Sequence, residues 1–150
     1  MAGRESLVVI GERAIPATAA AVWRVVADPA VLASLDPRLR LKASVGEPAA
    51  VGSAYDMSAR GPLGIRLTTH TTVTEAEPGV RIAHESTLRG RPVSKQRGDI
   101  LPAGDGVVLR WTVEQWPPPR SRRAIERLVG RELEIWLEAV GREALTTAGR

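Results

Sequence analysis

The chain has 150 residues, room for one domain with a full core, and 43% hydrophobic with 25% charged residues is globular rather than disordered composition. It holds no cysteine, which excludes disulfides, zinc fingers and thiol catalysis together, and no apolar run reaches the roughly 18–20 residues of a membrane span. The net charge of +4 is almost all arginine, Lys42 and Lys95 being the only lysines; that permits an acidic partner without demanding one.

No apolar stretch with a small-residue cleavage site follows Met1 to Ser6, so no secretion signal is expected and the cytoplasm is the expected location. The run Leu7-Val8-Val9-Ile10, closed at Pro16, predicts a strand. Thr18 can then cap an alanine-rich helix over Ala19 to Ala27, which Asp28-Pro29 ends, because a residue before proline is pushed out of the helical region. A second short helix is expected from Ala30 to Leu35, stopping at Asp36-Pro37.

From there the period changes to two. Leu39, Leu41, Ala43 and Val45 alternate with polar residues as a half-buried strand, and Ser53 to Arg60 reads as the next, up to the turn Gly61-Pro62-Leu63-Gly64. Ile65, Leu67, Thr69, Thr71 and Val73 share one face of a longer strand, and Arg66, Thr68, His70, Thr72 and Thr74 share the other. Glu77-Pro78-Gly79 turns the chain into Val80 to Leu88. Arg89-Gly90-Arg91-Pro92 turns it into Val93 to Leu101, and Ala103-Gly104-Asp105-Gly106 into Val107 to Trp116. Turns this short join neighbours, so an antiparallel meander is expected. Past the rigid Pro117-Pro118-Pro119, Ser121 can cap a helix to about Leu145. Its stripe is Ile125, Leu128, Val129, Leu133, Trp136, Val140 and Ala144. At 1.5 Å per residue that helix spans roughly 35 Å, enough to cross a sheet. The chain has no Phe and one Tyr, so four Trp supply nearly all its rings, and a broad sheet facing a helix then leaves room for a cavity.

The strand end Ile15-Pro16-Ala17, a helix containing Val22-Trp23 and then Asp28-Pro29 resemble the opening of the SRPBCC superfamily, also called START-like or Bet v 1-like. Leu32 to Pro37 resembles its second helix, with Ser34-Leu35-Asp36-Pro37 in place of the usual Trp-hydrophobic-Pro ending. Gly52 before a strand and the terminal helix with Leu137 and Glu138 are similar too. The resemblance covers essentially all of residues 1–150, and size and layout are similar to the polyketide cyclase/dehydrase and lipid-transport group. It implies a single α+β domain of the helix-grip fold. A curved antiparallel sheet of about seven strands would carry two short helices after its first strand and a long C-terminal helix packed across it. It also implies an apolar ligand such as a lipid, sterol or polyketide held between sheet and helix, with cyclisation, aromatisation or dehydration as the chemistry of some members.

In such a fold the concave sheet face and the helix stripe line the cavity. Alternation then points Leu67, Thr69, Thr71, Ile82, His84, Ser86, Leu109, Trp111 and Val113 inward, with Val129, Leu133 and Trp136 looking back from the helix. Apolar walls with a few hydroxyls and one imidazole suit a ligand pocket; a packed core filled by Trp111 and Trp136 is the plainer outcome. His84 is the candidate general acid or base, with Asp56 as the carboxylate that would orient it, while His70 has the outward phase. No metal is expected, since two histidines fourteen positions apart and no cysteine make no recognisable site. Serine hydrolase chemistry is not expected, since there is no Gly-x-Ser-x-Gly elbow, and no cofactor is expected, since no glycine-rich loop leads from a strand into a helix.

Arg120, Arg122, Arg123, Arg127 and Arg131 gather at the start of the last helix, where the helix dipole disfavours them. They form a solvated face or a docking strip for an anionic ligand head group, acyl carrier protein or membrane surface. Nucleic acid is not expected, because no aromatics interleave them. Three functions follow as alternatives: a module that carries an apolar ligand, a cyclase or dehydratase using His84, and an adaptor that binds another protein in the same groove.

Overall fold

The computed structural model of the chain describes residues 4–60 and 64–148. Its elements are β1 (Leu7–Ile15), α1 (Ala19–Val26), α2 (Pro29–Ser34), β2 (Leu39–Val45) and β3 (Ala54–Arg60), then β4 (Arg66–Glu77), β5 (Arg81–Leu88), β6 (Arg91–Ala103) and β7 (Gly106–Gln115). A 3-10 turn at Pro119–Ser121 leads into α3 (Arg122–Ala148). All seven strands form one antiparallel sheet in the order β1-β7-β6-β5-β4-β3-β2. This is the expected α+β helix-grip architecture.

Local chemistry sets the boundaries. The Thr18 side chain accepts the Ala21 amide at 3.1 Å and starts α1. Asp28 does more than end that helix: its carboxylate accepts the Ala30 amide at 2.9 Å and caps α2, whose first residue is Pro29. Gly79 takes φ 76°, which the tight β4–β5 turn requires and an L side chain resists. Of the turn expected at Gly61-Pro62-Leu63-Gly64, residues 61–63 lie outside the described part.

Three patterning expectations are corrected. In β2 a bulge between Leu41 and Ala43 shifts the phase, so Ser44 stands opposite Tyr55 and Val45 is 73% exposed instead of facing inward with Leu39 and Leu41. On β4, Thr71 and Val73 are buried as expected, but Leu67 is 45% exposed and Ile65 also lies outside the core. Alternation decides the face on which a side chain stands, not how far along the strand that face is covered. On α3 the buried row is Leu133, Leu137, Val140 and Ala144, at spacings of three and four; Leu128 falls off that row and is exposed.

The core lies where α1 and α3 meet the sheet. Val22, Val25 and Val26 from α1 pack with Leu109 and Trp111 from β7 and with Leu137 and Val140 from α3. Two glycines make this possible. Gly11 and Gly98 stand directly opposite Trp111 on the strands to either side of it. A Cβ at Gly11 would lie 2.9 Å from methyls of Leu133 and Leu137, so its absence lets α3 settle on β1. A Cβ at Gly98 would clash with the edge of the Trp111 ring. Gly98→Ala is therefore expected to destabilise the fold by about 1–3 kcal/mol, read from the urea midpoint. An unchanged midpoint would mean that the indole moves aside freely.

Candidate ligand-binding site

The register brings inward side chains from distant parts of the chain into rows across the sheet. Tyr55, Thr71, Ser86 and Ser94 form one row on β3 to β6. Val73, His84, Gln96 and Val113 form the next, on β4 to β7. In the first row the buried hydroxyls satisfy one another: Thr71 Oγ1 and Ser86 Oγ share a hydrogen bond of 2.8 Å, and the Tyr55 hydroxyl bonds Thr71. Burial raises the Tyr55 phenol to about 12 despite that bond, so it stays protonated at neutral pH.

Four rings then run from the sheet to α3. Tyr55 meets His84 edge-on with centroids 6.4 Å apart, His84 meets Trp111 at 5.9 Å, and Trp111 meets Trp136 at 4.5 Å. Trp111 is fixed further by its indole N–H, which donates to Gln96 Oε1 at 2.8 Å. The two tryptophans therefore do fill part of the expected groove, and space remains beside them and, separately, at His84. One cavity of about 220 Å³ lies between the α1–α2 corner, the loop joining β2 to β3 and a floor of Val73, Ile82 and His84; no residue of α3 lines it. A second, of about 390 Å³, lies between sheet and α3, against Trp111, Val113, Val129, Leu133 and Trp136. At the mouth of the second, the Arg38 guanidinium joins Asp36 at 2.8 Å to Glu132 on α3 at 2.6 Å. The hydrogen bond from Arg38 lowers the Asp36 pKa below the usual carboxylate value.

His84 is 6% exposed, and burial alone lowers its pKa to about 4, so the imidazole is neutral at physiological pH. It makes ring contacts but no hydrogen bond among the described residues. No buried side-chain polar atom of the described residues is sealed off without a partner, so the ring nitrogens are accessible, and the residue lines the smaller cavity.

The predicted site residues thus divide. Ile82 and His84 line the smaller cavity; Trp111, Val113, Val129, Leu133 and Trp136 line the larger one. Thr71 and Ser86 are wall residues bonded to each other, and Leu109 is sealed in the core. Thr69 spends its hydroxyl on the Met57 carbonyl at 3.3 Å, and Leu67 lies in neither cavity. Asp56 does not orient His84. The register sets Asp56 beside His70 on the opposite face of the sheet, where its carboxylate meets His70 Nδ1 at 2.7 Å and both side chains are exposed. Tyr55, Ser44 and the α1–α2 corner were not foreseen as cavity walls. The signal available for Tyr55 was its place as the chain's one tyrosine, in phase with Met57 on β3.

Of the arginine strip, Arg122 is committed elsewhere: its guanidinium donates to the backbone carbonyls of Ser6 at 3.0 Å and Glu5 at 3.5 Å, tying α3 to the chain before β1. The Arg127 side chain donates to the Arg123 carbonyl at 3.4 Å. Among the described residues no cluster of three or more acidic, histidine or cysteine side chains could hold a metal, and no helix is long and apolar enough to cross a membrane.

The chain is similar in structure to a Staphylococcus aureus protein of unknown function, SA2116, with TM-score 0.81 at 8% identity over 98% of both chains. It is also similar to protein NE0264 from Nitrosomonas europaea, with TM-score 0.76 at 14% identity over 96% of this chain and 97% of that one. Against Ara h 8.0201 the TM-score is 0.71 at 12% identity, over 95% and 99%. No curated protein matches the sequence. A family model described as polyketide cyclase/dehydrase and lipid transport matches residues 7–145, and the chain belongs to that family.

Proposed function

We propose that the protein binds an apolar small molecule, lipid-like or polyketide-like, in the space between the sheet and its helices. The observation that carries this reading is His84. His84 is a buried neutral imidazole that spends no hydrogen bond on the protein and lines the smaller cavity, so its donor and its acceptor are both available to a bound molecule. A bound molecule with a polar group would complete the imidazole's bonding. The family's lipid-transport and polyketide members support the ligand class.

A second reading, a cyclase or dehydratase with His84 as acid–base group, is favoured by one observation: the residue is unprotonated at neutral pH and faces the cavity. It stands behind binding for a physical reason. An imidazole whose conjugate acid has a pKa of about 4 is a weak base, and no carboxylate orients it.

The test is native mass spectrometry of protein purified from its own host, before and after denaturing extraction. A co-purifying apolar molecule is expected, or else saturable binding of the uncharged probe N-phenyl-1-naphthylamine by the stripped protein. A clean apo mass together with no probe binding would overturn the reading. Turnover of a polyketide-like substrate that His84→Ala abolishes, with binding retained, would move the enzyme reading to first place.

A further inference from the structure

We infer that the His84 compartment selects an uncharged compound of about one substituted ring, presenting a hydroxyl to the imidazole, and that it excludes carboxylates such as fatty acids. This rests on the binding function proposed above and narrows it.

Size is the first constraint. The compartment measures about 220 Å³, against the roughly 150 Å³ of an apolar protein cavity that accepts benzene. A ring with a few substituent atoms fits. The chain of a long lipid exceeds that volume.

Polarity is the second. Beside His84, the wall carries four other polar side chains: Tyr55, Ser53, Asp28 and Ser44. Tyr55 is bonded to Thr71, Ser53 donates to the Ala50 carbonyl at 2.6 Å, and Asp28 is occupied as the cap of α2. Ser44 is exposed to solvent. His84 is left as the buried polar group with bonding capacity to spare. A neutral imidazole has one N–H and one lone pair. A hydroxyl complements it whichever nitrogen faces the ligand, since it can donate to the lone pair or accept from the N–H.

Charge is the third. Asp28 is the one acidic side chain on the lining, and no arginine or lysine lines it. A carboxylate entering here would lose its hydration, gain no counter-charge and approach a negative group, three terms of the same sign. A cation would be desolvated against a neutral ring, with the Asp28 carboxylate already serving a helix terminus.

The probes are 4-ethylphenol, ethylbenzene, 4-ethylbenzoate and 4-ethylbenzylamine, titrated at pH 7.5 and followed by tryptophan fluorescence and calorimetry. 4-Ethylphenol should bind about tenfold more tightly than ethylbenzene, the worth of one buried hydrogen bond, and the two ionic probes should not bind measurably. His84→Leu should bring 4-ethylphenol down to ethylbenzene while ethylbenzene keeps its affinity, and His84→Gln should restore part of the preference. Equal or tighter binding of the benzoate or the benzylamine overturns the inference, as does a phenol preference that persists in His84→Leu. The four-probe comparison on the unaltered protein decides even if a variant fails to fold. If none of the four binds while N-phenyl-1-naphthylamine does, this inference fails and the broader binding function stands. If nothing binds, both fail.

Discussion

Truncating Trp111 to alanine is expected to lower the unfolding free energy by about 3–5 kcal/mol, the range for removing a buried large aromatic. Trp111 is 2% exposed and touches Trp136 and His84, with Gly11 and Gly98 flanking it across the sheet. Two glycines can neither close over the vacancy nor offer side chains to fill it. The loss should therefore lie at the upper end of that range. Urea unfolding followed by far-UV circular dichroism measures it, since the deleted indole would confound fluorescence. The variant should also accept longer apolar ligands in the 390 Å³ space, where Trp111 forms part of the wall. A loss near 1 kcal/mol would show that α3 collapses onto the sheet, and the two-compartment description would then not survive.

The second large effect is on acid stability. His84 has a folded pKa of about 4 against about 6.5 in an unfolded chain. Above pH 6.5 both states hold a neutral ring, and the residue contributes nothing to the pH dependence. Below it, the unfolded chain takes up a proton that the folded one refuses, so stability falls by about 1.4 kcal/mol per pH unit and levels off near pH 4. Between pH 7 and pH 4.5, His84→Leu should therefore lose about 2–3 kcal/mol less stability than the unaltered protein. Tyr55 and Trp111, the rings in contact, carry no charge in that window, and Asp28 is the acidic side chain on the same cavity wall. Carboxylates such as Asp36 titrate in both proteins and cancel in the difference. Equal losses in the two proteins would place His84 in contact with water.

Element order was legible because each element carries its own signal: a Thr18 cap, proline stops, alternation, and short turns with Gly79 or Gly104. The inward phase of Ile82, His84, Leu109 and Trp111 followed from that alternation once the resemblance set which sheet face the helix covers. Two kinds of information were not local. The bulge at Leu41/Ala43 inserts one residue and turns Val45 outward, and no residue type there announces it. The partner of Asp56 depends on strand register, which pairs it with His70 on the outer face, whereas alternation within its own strand left both faces open. The smaller cavity was hidden for a related reason. Its roof is the α1–α2 corner and the β2–β3 loop, where Ala49 holds a left-handed φ of 62°, and neither has a period to read.

The pairing of β1 with β7 sets the order of assembly during synthesis. Leu7 finds its ladder partner at Gln115, and every strand between them pairs with its own neighbour in the chain. At roughly 5–20 residues per second, about 5–20 s pass between translation of Leu7 and of Gln115. Through that interval the meander from β2 to β6 can close hairpin by hairpin. The run Leu7-Val8-Val9-Ile10 has no edge to join until β7 is made, and no α3 to cover its inner face. The first strand of the sheet is thus among the last to dock, and the newborn domain carries a sticky apolar strand until β7 and α3 have emerged from the ribosome.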